Sequence, residues 1–364
     1  MNILVAHADL TARGGAEAYA NALIARLRAA GHSVGVLDIN GLQSGNTLQR
    51  PTLLRLGTLP LLRRLSLFKY ALVCRILPRL ARAFDAVILS YGEGPDTGRP
   101  TLRILHAPVL FSTHPKLLRL LGARAPFVPR QLYALICRSI ARPCAAPPDT
   151  TTLANSNWTA RIAARAHKIT RPQTLYPSVS AHTGIGRKRD PYALLCIGRI
   201  VPNKRLEDAI ALTEALRARA YPATLTILGR ADSAYAQRLI ARHRQKPYLR
   251  FEPNASSAQL TDALATARIG LHFYRHEHFG IAVAEMITAG LIPLIYDGGG
   301  VRELVPDRTL RFRSLQEATA RAAALLQTPD KTPTQTLSQT PALRRALEFG
   351  TAADAALCAF VDTD

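Results

Sequence analysis

The stretch 269–296 constrains the fold most strongly, because apolar runs alternate in it with a charged loop. Residues 269–274 form an apolar run that indicates a buried strand, and the apolar spacing of a helix begins near Ile281. Gly290 and Pro293 supply the stop signal of that helix, and a second apolar run follows. Strands that alternate with helices are typical of an α/β fold with a parallel sheet.

Two glutamates stand eight positions apart in this stretch, Glu277 in the loop and Glu285 inside the helix. The helix begins near Gly280, so its unpaired N–H groups and positive dipole end point into the loop and can bind an anion. The Glu285 carboxylate can accept hydrogen bonds from a pair of hydroxyls. A glycine loop, 297–300, follows the next strand, and ligands of open α/β sheets bind at that end of the strands.

These residues resemble the E-x7-E signature of the retaining nucleotide-sugar glycosyltransferases of family 4. Within that family, the amino-acid sequence of 276–293 most resembles the mannosyltransferases that extend lipid-linked oligosaccharides. The resemblance implies an α/β chain of the GT-B fold, with two Rossmann-like domains facing each other across a cleft. It also implies that Glu285 holds the ribose, and that Glu277 and the backbone of the donor-binding loop hold the sugar. The donor-binding residues of this loop and the next are Phe279, Gly280, Ile281 and Gly299.

Arg199 and Lys204 stand five positions apart across a proline turn after an apolar strand, so both can converge on one diphosphate. The family uses a similar Gly-Arg-x4-Lys pattern for the departing nucleotide. A basic turn without a function is the alternative in so basic a protein. The chain departs from the family at 229–231, where Gly-Arg-Ala replaces the common Gly-x-Gly.

Residues 2–6 predict the first strand of the chain, and a loop with Gly14 and Gly15 then opens an alanine-rich helix. The glycine turn alone is weak evidence, since tight strand-to-helix packing also needs one. By resemblance, both glycines border the donor phosphates and the acceptor. His106 ends another strand and by resemblance borders the donor sugar, where a histidine can transfer a proton. A purely structural histidine is the alternative, and His114 is a weaker candidate.

The length of 364 residues favours two domains, because single cores stop growing at roughly 250–300 residues. We predict an N-terminal acceptor-side domain over 1–180 and a nucleotide-sugar-binding domain over 190–340. Residues 180–190 and 328–340 have the composition of linkers. The last helix, about 341–361, is expected to cross back to the first domain.

The formal net charge of +22 is concentrated in the first half of the chain, which has no acidic residue between Asp38 and Asp85 or between Asp96 and Asp149. Anionic membranes and nucleic acids both attract such surfaces. The helix expected within 50–82, limited by Pro78, can lie on a membrane or pack against its domain. We expect no nucleic-acid partner, because no basic stripe is interleaved with aromatic residues.

The five cysteines show no metal-ligand spacing, and each except Cys144 has apolar neighbours, so we interpret them as reduced core residues of a cytosolic protein. No apolar run of about 18 residues is found, and the first residues look like a strand rather than a signal peptide. The expected location is the cytoplasm, with peripheral attachment to the inner face of the cytoplasmic membrane as an extension.

The resemblance implies transfer of a hexose with retention of the anomeric configuration, for which Arg199, Lys204, Glu277 and His106 form the catalytic set. We expect no cofactor and no divalent metal, since two cations can neutralise the diphosphate. GDP-mannose is the preferred donor, UDP-sugars remain open, and the acceptor is a polyprenyl-linked or other glycan. The alternatives are a sugar-nucleotide epimerase and a basic membrane- or nucleic-acid-binding module on a degenerate scaffold.

Overall fold

The structure is a computed structural model in which two compact units divide the chain, Met1–Ser178 with Glu348–Asp364, and Val179–Leu347. The division after Ser178 falls just before the region expected to be a linker. The residues that the structure describes are 1–11, 14–60, 62, 65–107, 110, 130–145, 147, 149–182, 189–328 and 334–361. The weaker histidine candidate His114 lies outside them, as do Arg63 and Arg64 of the basic apolar region at 50–82.

The first unit is built on an eight-stranded sheet in the order β4-β3-β2-β1-β5-β6-β7-β8. Its strands are β1 Asn2–Ala6, β2 Ser33–Asp38, β3 Gly41–Ser44, β4 Thr47–Gln49, β5 Ala86–Leu89, β6 Thr101–Leu105, β7 Thr150–Ala154 and β8 Gln173–Thr174. Neighbouring strands in the series β2, β1, β5, β6, β7 and β8 pair in parallel. The strands β3 and β4 form an antiparallel extension at one edge, next to β2. A parallel sheet with helical crossovers is the Rossmann-like arrangement.

Helices of the first unit cover its sheet. They are α1 Gly15–Ala29, α2 Ser66–Ala81, α3 Arg130–Ala141, α4 Asn157–His167 and α12 Phe349–Val361, with a 3-10 helix at Thr52–Thr58. The last helix, α12, shares a hydrophobic cluster with α1 and β1, to which it contributes Phe349, Ala353, Leu357 and Phe360. An ion pair between Arg26 and Asp354 ties α12 to α1. The end of the chain therefore completes the core of the unit that contains its beginning.

Helix α2, the helical part of the basic apolar region, packs against the first unit. Most of its apolar residues, from Leu67 to Ala81, are buried within the unit. Lys69 donates to Asp9, with Nζ 2.6 Å from Oδ2, so its charge is paired inside the fold. The expectation that Pro78 limits the helix is wrong, because α2 continues to Ala81. Pro78 removes the hydrogen bond that its nitrogen would donate to the carbonyl of Cys74, and the helix ends within one further turn, at Ala81.

The second unit has a six-stranded parallel sheet in the order β11-β10-β9-β12-β13-β14. Its strands are β9 Ala193–Ile197, β10 Thr224–Gly229, β11 Leu249–Pro253, β12 Ile269–His272, β13 Ile292–Tyr296 and β14 Arg311–Phe312. The helices are α5 Leu206–Arg217, α6 Ala234–His243, α7 Ser257–Thr266, α8 Ile281–Thr288, α9 Leu315–Gln327, α10 Thr334–Ser338 and α11 Pro341–Leu347, with 3-10 helices at Pro202–Lys204, Gly300–Glu303 and Arg308–Leu310.

Two sequence expectations about the end of this unit need correction. Residues 328–340 are not wholly a linker, because α10 lies within them and its Leu337 is buried. The single helix expected over 341–361 is two helices, and the division between the units falls between them, after Leu347. Among the described residues, no helix is both long enough and apolar enough to cross a bilayer.

The burial of the cysteines agrees with the polarity of their neighbours in the sequence, with one exception. Cys74, Cys137 and Cys196 are buried thiols, and burial raises the pKa of each. Cys144 is half-buried. Cys358 is exposed on α12, so the expectation of a core position is wrong for this residue. Its neighbours in the sequence are apolar, but it lies on the outer side of the helix.

Candidate active site

The candidate site lies at the carboxyl edge of the sheet of the second unit, where the strands of a parallel sheet all end on the same side. Helix α8 begins there at Ile281, as its apolar spacing predicts. Gly280 caps this helix with φ +100°, a left-handed conformation that favours glycine. A β-carbon at Gly280 would lie 2.9 Å from the side chain of Val301. Only glycine fits this entry to the helix without strain.

Glu277 is the centre of the polar contacts in the loop between β12 and α8. Its Oε2 accepts from Lys204, with Nζ at 2.8 Å, and lies 3.1 Å from Nε2 of His272. Its Oε1 accepts from the backbone N–H of His278 at 3.2 Å. Burial alone would raise the pKa of the Glu277 carboxyl, but Lys204 and His272 outweigh it and hold that pKa well below its usual range. The carboxylate is therefore ionised and fixed in place.

Lys204 reaches Glu277 from the turn after β9. The 3-10 helix Pro202–Lys204 carries it there, and its Nζ lies 5.0 Å from the ring centroid of the buried Tyr274. A cation over an aromatic ring is attracted by its negative face. Arg199 is exposed and lines the same small cavity as Lys204 and His272. The structure thus brings the two basic residues of the Gly-Arg-x4-Lys pattern to one cavity.

His272 is a site residue that the sequence reasoning missed. It ends β12, is buried, and faces the oxygen of Glu277 that also accepts from Lys204. Burial first, and the nearby Lys204 charge second, lower the pKa of His272. The ring is therefore neutral at neutral pH, and its Nε2 lies 3.1 Å from the carboxylate in a contact that does not meet hydrogen-bond geometry. The sequence does contain a signal that could have identified this residue, namely a histidine at the end of an apolar strand shortly before Glu277.

Gly299 lies against the backbone of Glu277 and not against its side chain. Gly299 has φ +77°, and a β-carbon at this position would lie 2.1 Å from the carbonyl oxygen of Glu277. The next residue, Gly300, donates its N–H to that same oxygen at 2.7 Å. The glycine loop after β13 therefore fixes the loop of Glu277 by close backbone contact. This packing role accounts for Gly299 whether or not it also touches a donor.

Glu285 stands apart from the Glu277 contacts. It is half-buried on α8, and burial raises its pKa to about 7. Among the described residues, no group donates a hydrogen bond or forms an ion pair with its carboxylate, and no direct contact joins it to Lys204 or Glu277. Phe279, between the two glutamates, has a buried side chain that anchors the loop, and Ile281 is half-buried. A buried carboxylate without donors is ready to accept from hydroxyls of a ligand.

The remaining predicted residues belong to the first unit. His106 follows β6, its Nε2–H donates to the carbonyl of Ser90 at 3.1 Å, and its Nδ1 lies 3.3 Å from the amide nitrogen of Asn155. Both ring nitrogens are thus engaged, which is the arrangement of the structural alternative. Gly14 and Gly15 open α1, and Gly14 has φ −142°, a conformation open to any residue. Nothing in that angle requires glycine.

Comparison with known proteins shows what part of the chain is similar to a known family. Residues 181–328 match the family described as Glycosyl transferases group 1. A glycosyltransferase from Rickettsia africae has a similar fold over its whole length, with a TM-score of 0.65, 12% identity and coverage of 100% of this chain and 99% of that one. The matched residues lie within the second unit, which is therefore similar to the group 1 glycosyl transferases, and the chain has the GT-B fold, as predicted.

Two curated relatives match shorter stretches. The GDP-Man:Man(3)GlcNAc(2)-PP-Dol alpha-1,2-mannosyltransferase of Dictyostelium discoideum is 39% identical over 56 residues, which are 15% of this chain and 11% of the relative. The GDP-mannose:cellobiosyl-diphosphopolyprenol alpha-mannosyltransferase of Xanthomonas campestris is 30% identical over 122 residues, 33% of this chain and 32% of the relative. The matches span a third or less of these proteins. They confirm the predicted similarity to mannosyltransferases.

Proposed function

We propose that the protein is a retaining glycosyltransferase that moves a hexose from a nucleotide diphosphate sugar to a lipid-linked or other glycan. The observation that carries the proposal is the contact of Lys204 and His272 with Glu277. These residues lie beside the N-terminus of α8, inside the region that matches the group 1 glycosyl transferases. A cation, an ionised carboxylate and a helix N-terminus in one place suit a substrate that has both a diphosphate and a hydroxyl-rich sugar.

Each residue takes a role that its position supports. Arg199 and Lys204 line one cavity and would neutralise the departing diphosphate together with the dipole of α8. Glu277, held by Lys204 and His272, would accept from the sugar hydroxyls. Glu285 would accept from the ribose hydroxyls, since no donor among the described residues occupies its carboxylate. With two cations at the diphosphate, we propose a reaction without a metal ion.

The chemical step we propose is attack on the face that the diphosphate leaves. The bond from the anomeric carbon to the diphosphate oxygen breaks, and that oxygen takes the electron pair. The acceptor hydroxyl oxygen bonds to the anomeric carbon on the same face, and its proton passes to the departing diphosphate. This sequence gives retention without a carboxylate nucleophile, which suits a Glu277 already held by a cation and a histidine.

We propose GDP-mannose as the donor and a polyprenyl-linked saccharide as the acceptor. Both curated relatives described above are named for GDP-mannose, and each is named for a diphosphate-linked lipid acceptor. His106, Gly14 and Gly15 stay predictions for the donor and acceptor side. The partners of His106 in the structure favour the structural alternative for its ring, because release of the Nε2 proton would break its hydrogen bond to Ser90.

A nucleotide-binding experiment tests the proposal first. A ligand that binds only the native state raises the melting temperature, so GDP, UDP and ADP can be compared by thermal shift. We expect GDP to give the largest rise in the wild type and a smaller rise in Glu285→Gln. The matched control is Glu348→Gln, which alters an exposed glutamate of the first unit. A panel in which no nucleotide raises the melting temperature would refute the proposed donor site.

Product analysis tests the reaction. Incubation with GDP-mannose and a short polyprenyl-diphosphate disaccharide should give an α-linked product, identified from the one-bond coupling between the anomeric carbon and its proton. A β-linked product would refute retention, and isomerised sugar nucleotide without any acceptor would favour an epimerase. Transfer that persists after treatment with a chelator is expected, and its loss would refute the proposal of a reaction without metal.

A further inference from the structure

The carboxyl-terminal end of α8 is held by a donor that the helix itself does not supply. The last carbonyl groups of a helix have no partner within it and need donors from elsewhere. The chain turns at Gly290, which has φ +86°, and the N–H of Gly290 donates to the carbonyl of Ile287 at 2.9 Å. The carbonyl of Ala289 accepts from the side chain of Arg189. An arginine from the region 180–190 therefore completes this helix end.

Arg189 joins α8 to the end of a second helix. Its Nη1 donates to the carbonyl of Leu264 at 2.7 Å and to that of Ala267, both at the carboxyl-terminal end of α7. The guanidinium is planar and presents its donors in a fixed geometry, so it holds the carbonyl groups of both helix ends at set positions. Its positive charge also interacts favourably with the negative ends of the two helix dipoles. Arg189 therefore fixes where α8 ends relative to α7.

Thr288 forms a second link at the same helix end, and this link reaches the backbone of Glu285. The Thr288 hydroxyl donates to the carbonyl of Glu285 at 2.9 Å and accepts from the backbone N–H of His182 at 3.2 Å. His182 and Arg189 both belong to the region 180–190, so two described residues of that region bind the carboxyl-terminal end of α8. One hydroxyl group separates the backbone of His182 from that of Glu285.

Helix α8 is short enough for contacts at one end to determine the position of the other. Its eight residues extend over about 12 Å. Its inner side is held by four buried side chains, Val283, Ala284, Met286 and Ile287. Apolar contacts have no preferred direction, so they resist separation of the helix from the core more than a shift along its axis. The directional hydrogen bonds at the carboxyl-terminal end supply the restraint along the axis.

We propose that Arg189 and Thr288 are positioning residues of the nucleotide site. They hold the carboxyl-terminal end of α8 and thereby set the position of the Glu285 carboxylate and of the N–H groups that follow Gly280 at the other end. The proposal deepens the proposed function and rests on it, because these groups are the ones assigned to the ribose and the diphosphate. The alternative is a helix cap that contributes to stability alone.

Arg268 provides a matched control for that alternative. Its Nη1 donates to the carbonyl of Leu325 at 2.8 Å and its Nη2 to that of Thr328 at 2.9 Å, so it completes the carboxyl-terminal end of α9. Arg268 is buried and belongs to the second unit, as Arg189 does. The residues predicted to bind the donor all lie outside α9. Loss of Arg268 therefore removes the same kind of helix cap at a distance in sequence from α8.

Calorimetric titration with GDP measures the positioning role. Arg189→Met should bind GDP about tenfold more weakly than the wild type, since small displacements of positioned groups have large effects. Arg268→Met should bind GDP like the wild type, although urea unfolding should show that both variants are less stable. Thr288→Val removes the hydroxyl at nearly constant shape and should also weaken GDP binding, whereas Thr288→Ser keeps the hydroxyl and should retain wild-type affinity.

Amide hydrogen exchange gives a second readout that needs no ligand. Arg189→Met should speed exchange of the amides of Val283 and Ala284, which donate to the carbonyl of Gly280 at 2.9 and 3.0 Å, and Arg268→Met should not. Equal GDP affinities for the two arginine variants would overturn the proposal, as would unchanged exchange at Val283 and Ala284. A wild type that binds no GDP would refute the proposed donor, and the exchange rates would then decide the positioning role alone.

Discussion

Replacing Glu285 by glutamine removes a charge that burial makes costly. The carboxylate is half-buried on the apolar helix α8, and no described group pairs with it. Burial alone raises the pKa of Glu285 from 4.5 to about 7. Glutamine has nearly the same shape and no charge, so Glu285→Gln should make the ligand-free protein more stable while it weakens nucleotide binding. A gain of stability at the expense of a function is expected where a binding site holds an unpaired charge.

The size of the effect follows from the shift of this pKa. The native state holds the proton more tightly than the unfolded state, so its stabilising contribution is fully present below about pH 4.5 and is lost as the pH rises towards 7. The ionised carboxylate should cost about 3 kcal/mol above pH 7.5 and less than about 1 kcal/mol at pH 5. The variant should therefore gain about 3 kcal/mol over the wild type at pH 8 and little at pH 5.

Urea unfolding of both proteins at several pH values measures this difference. Glu348→Gln, at an exposed position, serves as the control and should differ from the wild type by the same small amount at every pH. A Glu285→Gln variant that is less stable than the wild type at pH 8 would refute the reasoning. A difference that does not change between pH 5 and pH 8 would refute it too, since the cost would not come from ionisation.

Substitutions at Lys204, His272 and Gly299 test the contacts around Glu277. Lys204→Met should abolish transfer and destabilise the protein by about 3 kcal/mol, because it removes the cation that pairs with the half-buried Glu277 carboxylate, and urea unfolding should show that Lys204→Met/Glu277→Gln regains stability but not activity. His272→Leu should lower kcat about tenfold or more, whereas His272→Gln, which keeps a donor, should retain most of it; equal kcat values for the two would contradict the positioning role. Gly299→Ala should cost more stability than Gly31→Ala, since both have positive φ but only position 299 meets backbone, and equal melting temperatures would contradict this.

Much of the fold could be predicted from the alternation of apolar runs. The start of α8 at Ile281 and the strand β1 at Asn2–Ala6 agree with the sequence, because apolar residues and a following glycine signal lie together there. The extension β3 and β4 was missed, since these short edge strands bury few apolar residues. The sequence also could not predict how much of helix α2 is buried. Its apolar residues cover too much of the helix surface for periodicity to show which side is buried.

The sequence could predict which side chains gather at the site better than what they contact. Lys204 and Glu277 both follow strands whose carboxyl ends meet, so their proximity is a consequence of the parallel sheet. That they bind each other, with His272 as third partner, depends on rotamers and distances that spacing does not encode. For the same reason, the sequence could not predict the packing role of Gly299. Its loop touches the backbone of Glu277, a residue far away in the sequence.

The position of α12 has a consequence for how the polypeptide matures on the ribosome. Synthesis delivers the first 178 residues and then the entire second unit before Phe349 and Leu357 emerge. Until then the nascent first unit exposes the hydrophobic surface of α1 that α12 later covers, and chaperones or neighbouring chains can bind there. A fragment that stops after Ser178 should therefore precipitate, whereas a circular permutant that begins with α12 and continues into Met1 should remain monodisperse.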